Sequence, residues 1–165
     1  MKWTRLGCLC LLCTAVATLG WPGWLRAATG GDSDVSPGGP FGVQLGIPAD
    51  QLAANLDEAA RIGASWVRLT GPTGANWARI ELSPGRCQWA EMDRAVVAAA
   101  QRGMKVLVTI ESGNPVYRSR QGYLPGDLLA HARFLTRLVE RYDGDGTDDA
   151  PGSPVVDVWQ IENEV

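Results

Sequence analysis

The sequence predicts an α/β fold built on an open parallel sheet. Three observations predict it. Apolar runs of strand length alternate with amphipathic helical stretches, the returns from helix to strand are very short, and the loops that follow the strands are long. Strand–helix alternation imposes right-handed crossovers and therefore parallel strands. About four such units fit, the last without its helix. A doubly wound sheet and part of a barrel both satisfy this pattern.

In chain order, Met1 to Arg5 carry Lys2 and Arg5, and Leu6 to Leu19 then run without a charge. These are the n- and h-regions of a secretory signal. At roughly 14 residues, the run is short of the roughly 20 that a membrane-spanning helix needs. Ala15 and Ala17, or Ala27 and Ala28, offer the small residues of a cleavage site. Residues 1–28 are therefore expected to be a signal peptide. The mature chain is expected to be secreted or periplasmic, with no membrane attachment after cleavage. Cys8, Cys10 and Cys13 leave with the leader and only Cys87 remains, so no intrachain disulfide is available. Residues 29–40, with Gly30, Gly31, Gly38, Gly39 and Pro40, read as a flexible linker. The domain is expected over 41–165.

Phe41 to Ile47 is the first strand, broken by Pro48. Asp50 is placed to cap a helix whose stripe is Leu52, Leu56, Ala59 and Ile62, with Gly63 as its stop. Ser65 to Thr70 is the second strand. A long loop, Gly71 to Ala90, leads to the helix Glu91 to Arg102, striped by Met92, Val96 and Ala99 and closed by Gly103. Met104 to Ile110 is the third strand, apolar enough to suggest cover on both faces. The loop Glu111 to Gly126 precedes the helix Asp127 to Tyr142, with Leu128, Leu135, Leu138 or Val139, and Tyr142 as its stripe. A turn-rich stretch, Asp143 to Ser153, leads to a fourth strand from Val155 towards Ile161.

Composition narrows the function classes. The 165 residues include 20 Gly and 10 Pro, with 45% hydrophobic and 20% charged, which excludes collagen-like, coiled-coil and fully disordered chains. Fifteen basic residues face eighteen acidic ones, a net charge of -3. Loss of Lys2, Arg5 and Arg26 with the leader leaves 12 against 18, or -6. Such a chain has no basic excess for a nucleic-acid backbone and suits an uncharged partner. No phosphate-binding glycine run follows the first strand, which disfavours a nucleotide-binding, oxidoreductase-like sheet.

The chemistry-bearing residues crowd the last strand, Trp159-Gln160-Ile161-Glu162-Asn163-Glu164-Val165. A carboxylate among aromatic residues at the C-terminal end of a parallel strand can act as a proton donor, and a neighbouring amide can bind a sugar hydroxyl. Simple alternation puts Glu162 and Glu164 on one face and Asn163 on the other. For Asn163 and Glu164 to face one substrate, the strand end must twist or bulge. These polar residues equally suit a solvated strand exit.

This segment resembles the Asn-Glu motif of clan A glycoside hydrolases, the retaining (β/α)8-barrel glycosidases that include cellulases, mannanases and β-galactosidases. The likeness extends from Phe41 to Val165. Trp66-Val67-Arg68 resembles the family's second strand, ending in its Arg. Trp77, Ile80, Glu81, Gly85 and Trp89 resemble a common loop pattern, Asp93 follows at the family's spacing, and Gly103 to Val108 resembles the third strand. The resemblance implies a partial TIM barrel of four βα units. It implies a β-glycoside hydrolase acting on an oligo- or polysaccharide, with no cofactor and no metal. Glu164 would be the general acid/base, Asn163 would hold the sugar 2-hydroxyl, and Arg68 would orient the nucleophile. The family's nucleophile lies on the seventh strand, so none is expected in this chain. A full barrel takes ~250 residues and only about 125 follow the linker. The expectation is an N-terminal half, inactive alone and able to self-associate through its open sheet edge. The alternative is a non-catalytic carbohydrate-binding or interaction remnant. Glu111 and Glu162 share the rim but no family role falls on either. Glu81 reads as structural.

Other constellations are weaker. Asp143 to Asp149 looks like a calcium loop, but Asp148 and Pro154 stand where an EF-hand needs Gly and Glu, so a surface turn is favoured. Trp77, Trp89, Tyr117, Tyr123 and Trp159 have faces that suit sugar rings, with Tyr117 and Tyr123 best placed for a cleft. His131, alone in mid-helix, reads as a packing residue. No Ser-His-Asp arrangement or Cys/His metal cluster is visible.

Overall fold

The structure, a computed structural model, describes residues 39–120 and 124–163. All belong to the compact unit Ser33–Val165. The expected signal peptide, nearly all of the linker, Tyr123 and Glu164 lie outside the described residues.

The elements run β1 (Gly42–Leu45), α1 (Ala49–Arg61), β2 (Trp66–Leu69), a 3-10 turn (Gly71–Thr73), β3 (Ala75–Asn76), α2 (Trp77–Ile80), β4 (Glu81–Ser83), β5 (Arg86–Cys87), α3 (Ala90–Ala100), β6 (Lys105–Glu111), a second 3-10 turn (Pro115–Tyr117), α4 (Leu128–Glu140) and β7 (Val158–Ile161). The strands β1, β2, β6 and β7 pair in parallel and in chain order, and β3 joins the C-terminal end of β6. Because the order never reverses, the described sheet has no topological switch point, the place where doubly wound folds bind nucleotides. A small antiparallel hairpin, β4–β5, stands apart.

Register explains the two faces. Side chains alternate along a strand, and in this register Val67, Leu69, Val106 and Val108 fall on one face, all fully buried. They share one apolar core with Leu52, Leu56 and Ala59 of α1, Met92, Ala95, Val96 and Ala99 of α3, and Ala130, Phe134 and Leu138 of α4. Opposite them lie Gly42 and Gln44, Trp66 and Arg68, Lys105 and Leu107, and Val158 and Gln160, all half-buried or exposed. Among the described residues, helices therefore cover one face of the sheet, and the expectation of cover on both is corrected. Leu107 carries the ambiguity: it is apolar, yet sits on the open side.

Several element details also differ from expectation. Pro48 occupies the N-cap of α1, and Asp50 lies inside the first turn, where its charge suits the helix dipole. Ile62 follows α1 as its C-cap and is exposed. The α4 stripe is Ala130, His131, Phe134 and Leu138, continued by Tyr142, while Leu128 points to solvent. Asp127 does cap α4, accepting from Ala130 N at 2.9 Å. Gly63 and Gly103 end their helices at φ 84 and 67, the left-handed conformation that lets the chain turn straight into the next strand. The long loop from Gly71 to Ala90 holds β3, α2 and the β4–β5 hairpin.

Candidate functional site

The C-terminal ends of β1, β2, β6 and β7 converge on one side chain. Arg68, the third residue of β2, stands on the open face. Its Nη1 donates to Gln44 Oε1 of β1 at 2.7 Å and its Nε to Thr109 Oγ1 of β6 at 3.1 Å. Its Nη2 donates to Asn163 Oδ1, just past β7, at 2.8 Å. A planar guanidinium with five donors in a fixed fork can serve three acceptors on three strands at once, where a lysine could not. All three acceptors are neutral, and among the described residues no carboxylate lies within ion-pair distance of Arg68.

Asn163 reaches Arg68 because regular strand geometry stops at Ile161. Glu162 adopts φ 57, and Asn163 then comes to the open face instead of the helix side. Gln160, on the open face of β7, donates from Nε2 to the Glu162 carbonyl at 3.0 Å and to Asn163 Oδ1 at 3.4 Å. Glu162 itself turns inward. It is 7% exposed, and its Oε1 accepts from Ser112 N at 2.6 Å. At the end of β6, Glu111 is half-buried and accepts from Asn76 Nδ2 of β3 at 2.6 Å. Below this rim, an open cavity of about 380 Å³ is lined by Gly42, Gln44, Trp66, Arg68 and Leu107. Trp66 supplies its aromatic wall, with Lys105 Nζ 5.2 Å from the ring centroid. A second cavity, of about 340 Å³, lies beside α2 and the start of α3, lined by Asn76, Arg79 and Met92 among others, and there Arg79 pairs with Glu91 at 2.9 Å.

The other candidates serve the scaffold. Glu81 is buried and accepts from Trp77 Nε1 and Gly85 N, each at 2.6 Å, and from Tyr117 Oη at 2.8 Å. Burial pushes its carboxyl up, but these three hydrogen bonds outweigh it and hold the group below the usual carboxylate range. Tyr117 is therefore engaged: its ring stacks on Trp77 at 4.7 Å, and burial and Glu81 raise its phenol. Trp77 is fully buried, and Trp89 and Trp159 pack against Phe134 and Tyr142. His131 is a core residue, 8% exposed, between Trp77 and Phe134, and burial lowers its imidazole pKa. The Asp143, Asp145 and Asp149 carboxylates lie within 4.8 Å of one another. Each accepts a backbone N–H of its own loop, the chemistry of a tight turn.

Sequence reading missed Gln44, Trp66, Thr109 and Gln160. The signal was present for Trp66: it sits two residues before Arg68, so the alternation that buries Val67 and Leu69 puts both on the other face.

No protein-family model matches this sequence, and no curated protein sequence does. Solved structures are similar to it in fold. A β-galactosidase from the psychrophilic Marinomonas ef1 superposes with a TM-score of 0.53 at 21% identity, over 75% of this chain and 21% of that one. A β-galactosidase from the Antarctic haloarchaeon Halorubrum lacusprofundi gives 0.51 at 20% identity, over 75% and 21%. The class defined is a mixed α/β fold with a mostly parallel sheet, similar to part of these two β-galactosidases. The chain spans about a fifth of the length of these two β-galactosidases.

Proposed function

We propose that this chain carries the acid/base side of a retaining β-glycoside hydrolase site, on the first four strands of a (β/α)8 ring of the clan A kind. The observation that carries the reading is the 2.8 Å contact between Arg68 Nη2 and Asn163 Oδ1. It joins an Arg at the end of one strand to the Asn-Glu dipeptide beyond another, on a rim where α/β barrels keep their chemistry. In this reading Asn163 holds the sugar 2-hydroxyl. Glu164 protonates the leaving oxygen and then removes a proton from the attacking water. Arg68, whose acceptors among the described residues are all neutral, faces an anionic nucleophile about 5 Å from the acid/base, and no residue of this chain is assigned that role. The substrate is an oligo- or polysaccharide met after export, and β-galactosides are the first probes because both structural neighbours are β-galactosidases.

The test uses the 165-residue chain with 4-nitrophenyl β-galactoside and β-glucoside. Saturation-transfer NMR is expected to show binding of at least one, lost in Arg68→Ala and Asn163→Ala, with no release of 4-nitrophenol. Binding that survives both substitutions, or no binding of any β-glycoside by the folded chain, would overturn the assignment. Binding that Glu164→Gln strengthens or leaves unchanged, in a chain that stays silent beside any complementing half-barrel, would favour a carbohydrate-binding role.

A further inference from the structure

Glu162 sits between the last residue of β7 and the dipeptide proposed to do the work. Its main chain and side chain have exchanged tasks. The Glu162 N–H still donates to Ile110 O at 2.9 Å, one half of the bridge that would pair Glu111 with Glu162 in a parallel ladder. In the other half, Ser112 N–H would donate to the Glu162 carbonyl. Here that N–H goes instead to the Glu162 side chain, at Oε1, 2.6 Å away. The carbonyl thus released receives Gln160 Nε2 at 3.0 Å. The backbone that permits this has φ 57, a conformation that a residue with a Cβ rarely adopts unless its surroundings impose it. A carboxylate only 7% exposed imposes it, its inward position fixed by a charge-assisted bond to a buried amide.

We propose that Glu162 is a positioning residue. By substituting its carboxylate for a main-chain carbonyl as the partner of Ser112 N–H, it ends the ladder in a left-handed turn and delivers Asn163 to Arg68. Without that exchange, alternation would leave Asn163 on the face of Trp159 and Ile161, towards the helices. The inference rests on the reading of Asn163 as a sugar contact only for its functional meaning; the exchange itself is a property of the fold.

Three observations test it in the full chain, labelled with ¹⁵N and ¹³C. In the wild type, a through-hydrogen-bond coupling is expected between Ser112 ¹⁵N and the Glu162 carboxyl ¹³C; its absence in the folded protein overturns the proposal without any substitution. Glu162→Gly accepts a positive φ freely but has no carboxylate. It is expected to shift the Asn163 side-chain amide to its solvent-exposed position and to speed exchange of the Arg68 Nη2 protons, the donors to Asn163, at least tenfold, with the amide spectrum of β1 and β2 unchanged. Glu162→Gln keeps an acceptor and is expected to restore most of both signals. A Glu162→Gly chain with wild-type Asn163 and Arg68 signals would show that the turn alone suffices, and the carboxylate would lose its role. If Glu162→Gly moves Asn163 as expected while no β-glycoside perturbs Asn163 in the wild type, the positioning stands and the glycosidase reading falls.

Discussion

At the scale of single residues, two carboxylates that look alike in sequence do different physical work. Glu81 and Glu162 are both buried. Glu81 gathers three donors from α2, the β4–β5 turn and the second 3-10 turn, so it ties together a segment with little core of its own. Because its folded pKa is lowered, its contribution is fully present above the unfolded carboxyl value of about 4.3, and is lost as pH falls through the folded value. Glu81→Gln points an amide N–H₂ at groups that are themselves donors. It is expected to cost roughly 1–3 kcal/mol at pH 7 and to flatten the stability profile below pH ~4.5. Denaturant unfolding at pH 7 and at pH 3.5 checks both parts. Equal losses at the two pH values would show that the hydrogen-bonded carboxylate is not the source.

At the scale of elements, the sheet and helices were legible because hydrophobic periodicity is a local signal: Leu52, Leu56 and Ala59, or Met92, Val96 and Ala99, mark their buried faces unaided. Alternation also showed that Asn163 needs a break in the strand to share a face with its neighbour. How that break arises was not legible, since it depends on Ser112, fifty residues away in the chain. The α4 stripe was misphased for a related reason. Leu128 and Leu129 are as apolar as any core residue, and distant aromatic partners, Trp77 packed on His131 and Phe134 and Trp89 packed on Phe134, lie on the side that turns in. A second tie of this kind joins α3 to the end of α4. Arg141 bonds both oxygens of Asp93, at 2.8 and 2.7 Å, and Tyr142 Oη donates to the same carboxylate at 2.8 Å. Burial first, and then Asp93, pushes the Tyr142 phenol far above its ordinary value. With the folded pKa raised, this contribution is complete below the unfolded phenol value of about 10 and is lost as pH rises beyond it. Asp93→Ala leaves a half-buried guanidinium and a buried hydroxyl without their acceptor. It is expected to cost about 3 kcal/mol, read as a lower denaturant midpoint at unchanged slope. Loss below about 0.5 kcal/mol would mark the contact as a surface pair.

At the scale of the whole molecule, the described sheet has one dressed face and one bare one. Neither β1 nor β7 has an outer partner strand among the described residues, and Val158 and Ile161 of β7 are 40% and 64% exposed. The open face mixes Trp66 and Leu107 with Gln44, Arg68 and Gln160, so it is too polar for a closed core and too apolar for a comfortable surface. An unpaired strand edge beside such a face is a template for another chain. The acidic excess of the sequence, greater still over residues 29–165, opposes that association by long-range repulsion. Salt shortens the range of the repulsion while leaving apolar contact intact, so added salt should promote self-association where an ion-paired interface would be weakened. Sedimentation velocity on the chain without residues 1–28 is expected to show weight-average mass rising across the micromolar range, and more steeply at high salt. Lysine at both Val158 and Ile161 places charge on the edge strand without touching the core or Arg68, and is expected to return the protein to monomer. A wild-type chain that stays monomeric at about 100 μM in high salt, well inside the range where exposed edges associate, would show that the bare face is satisfied by water alone.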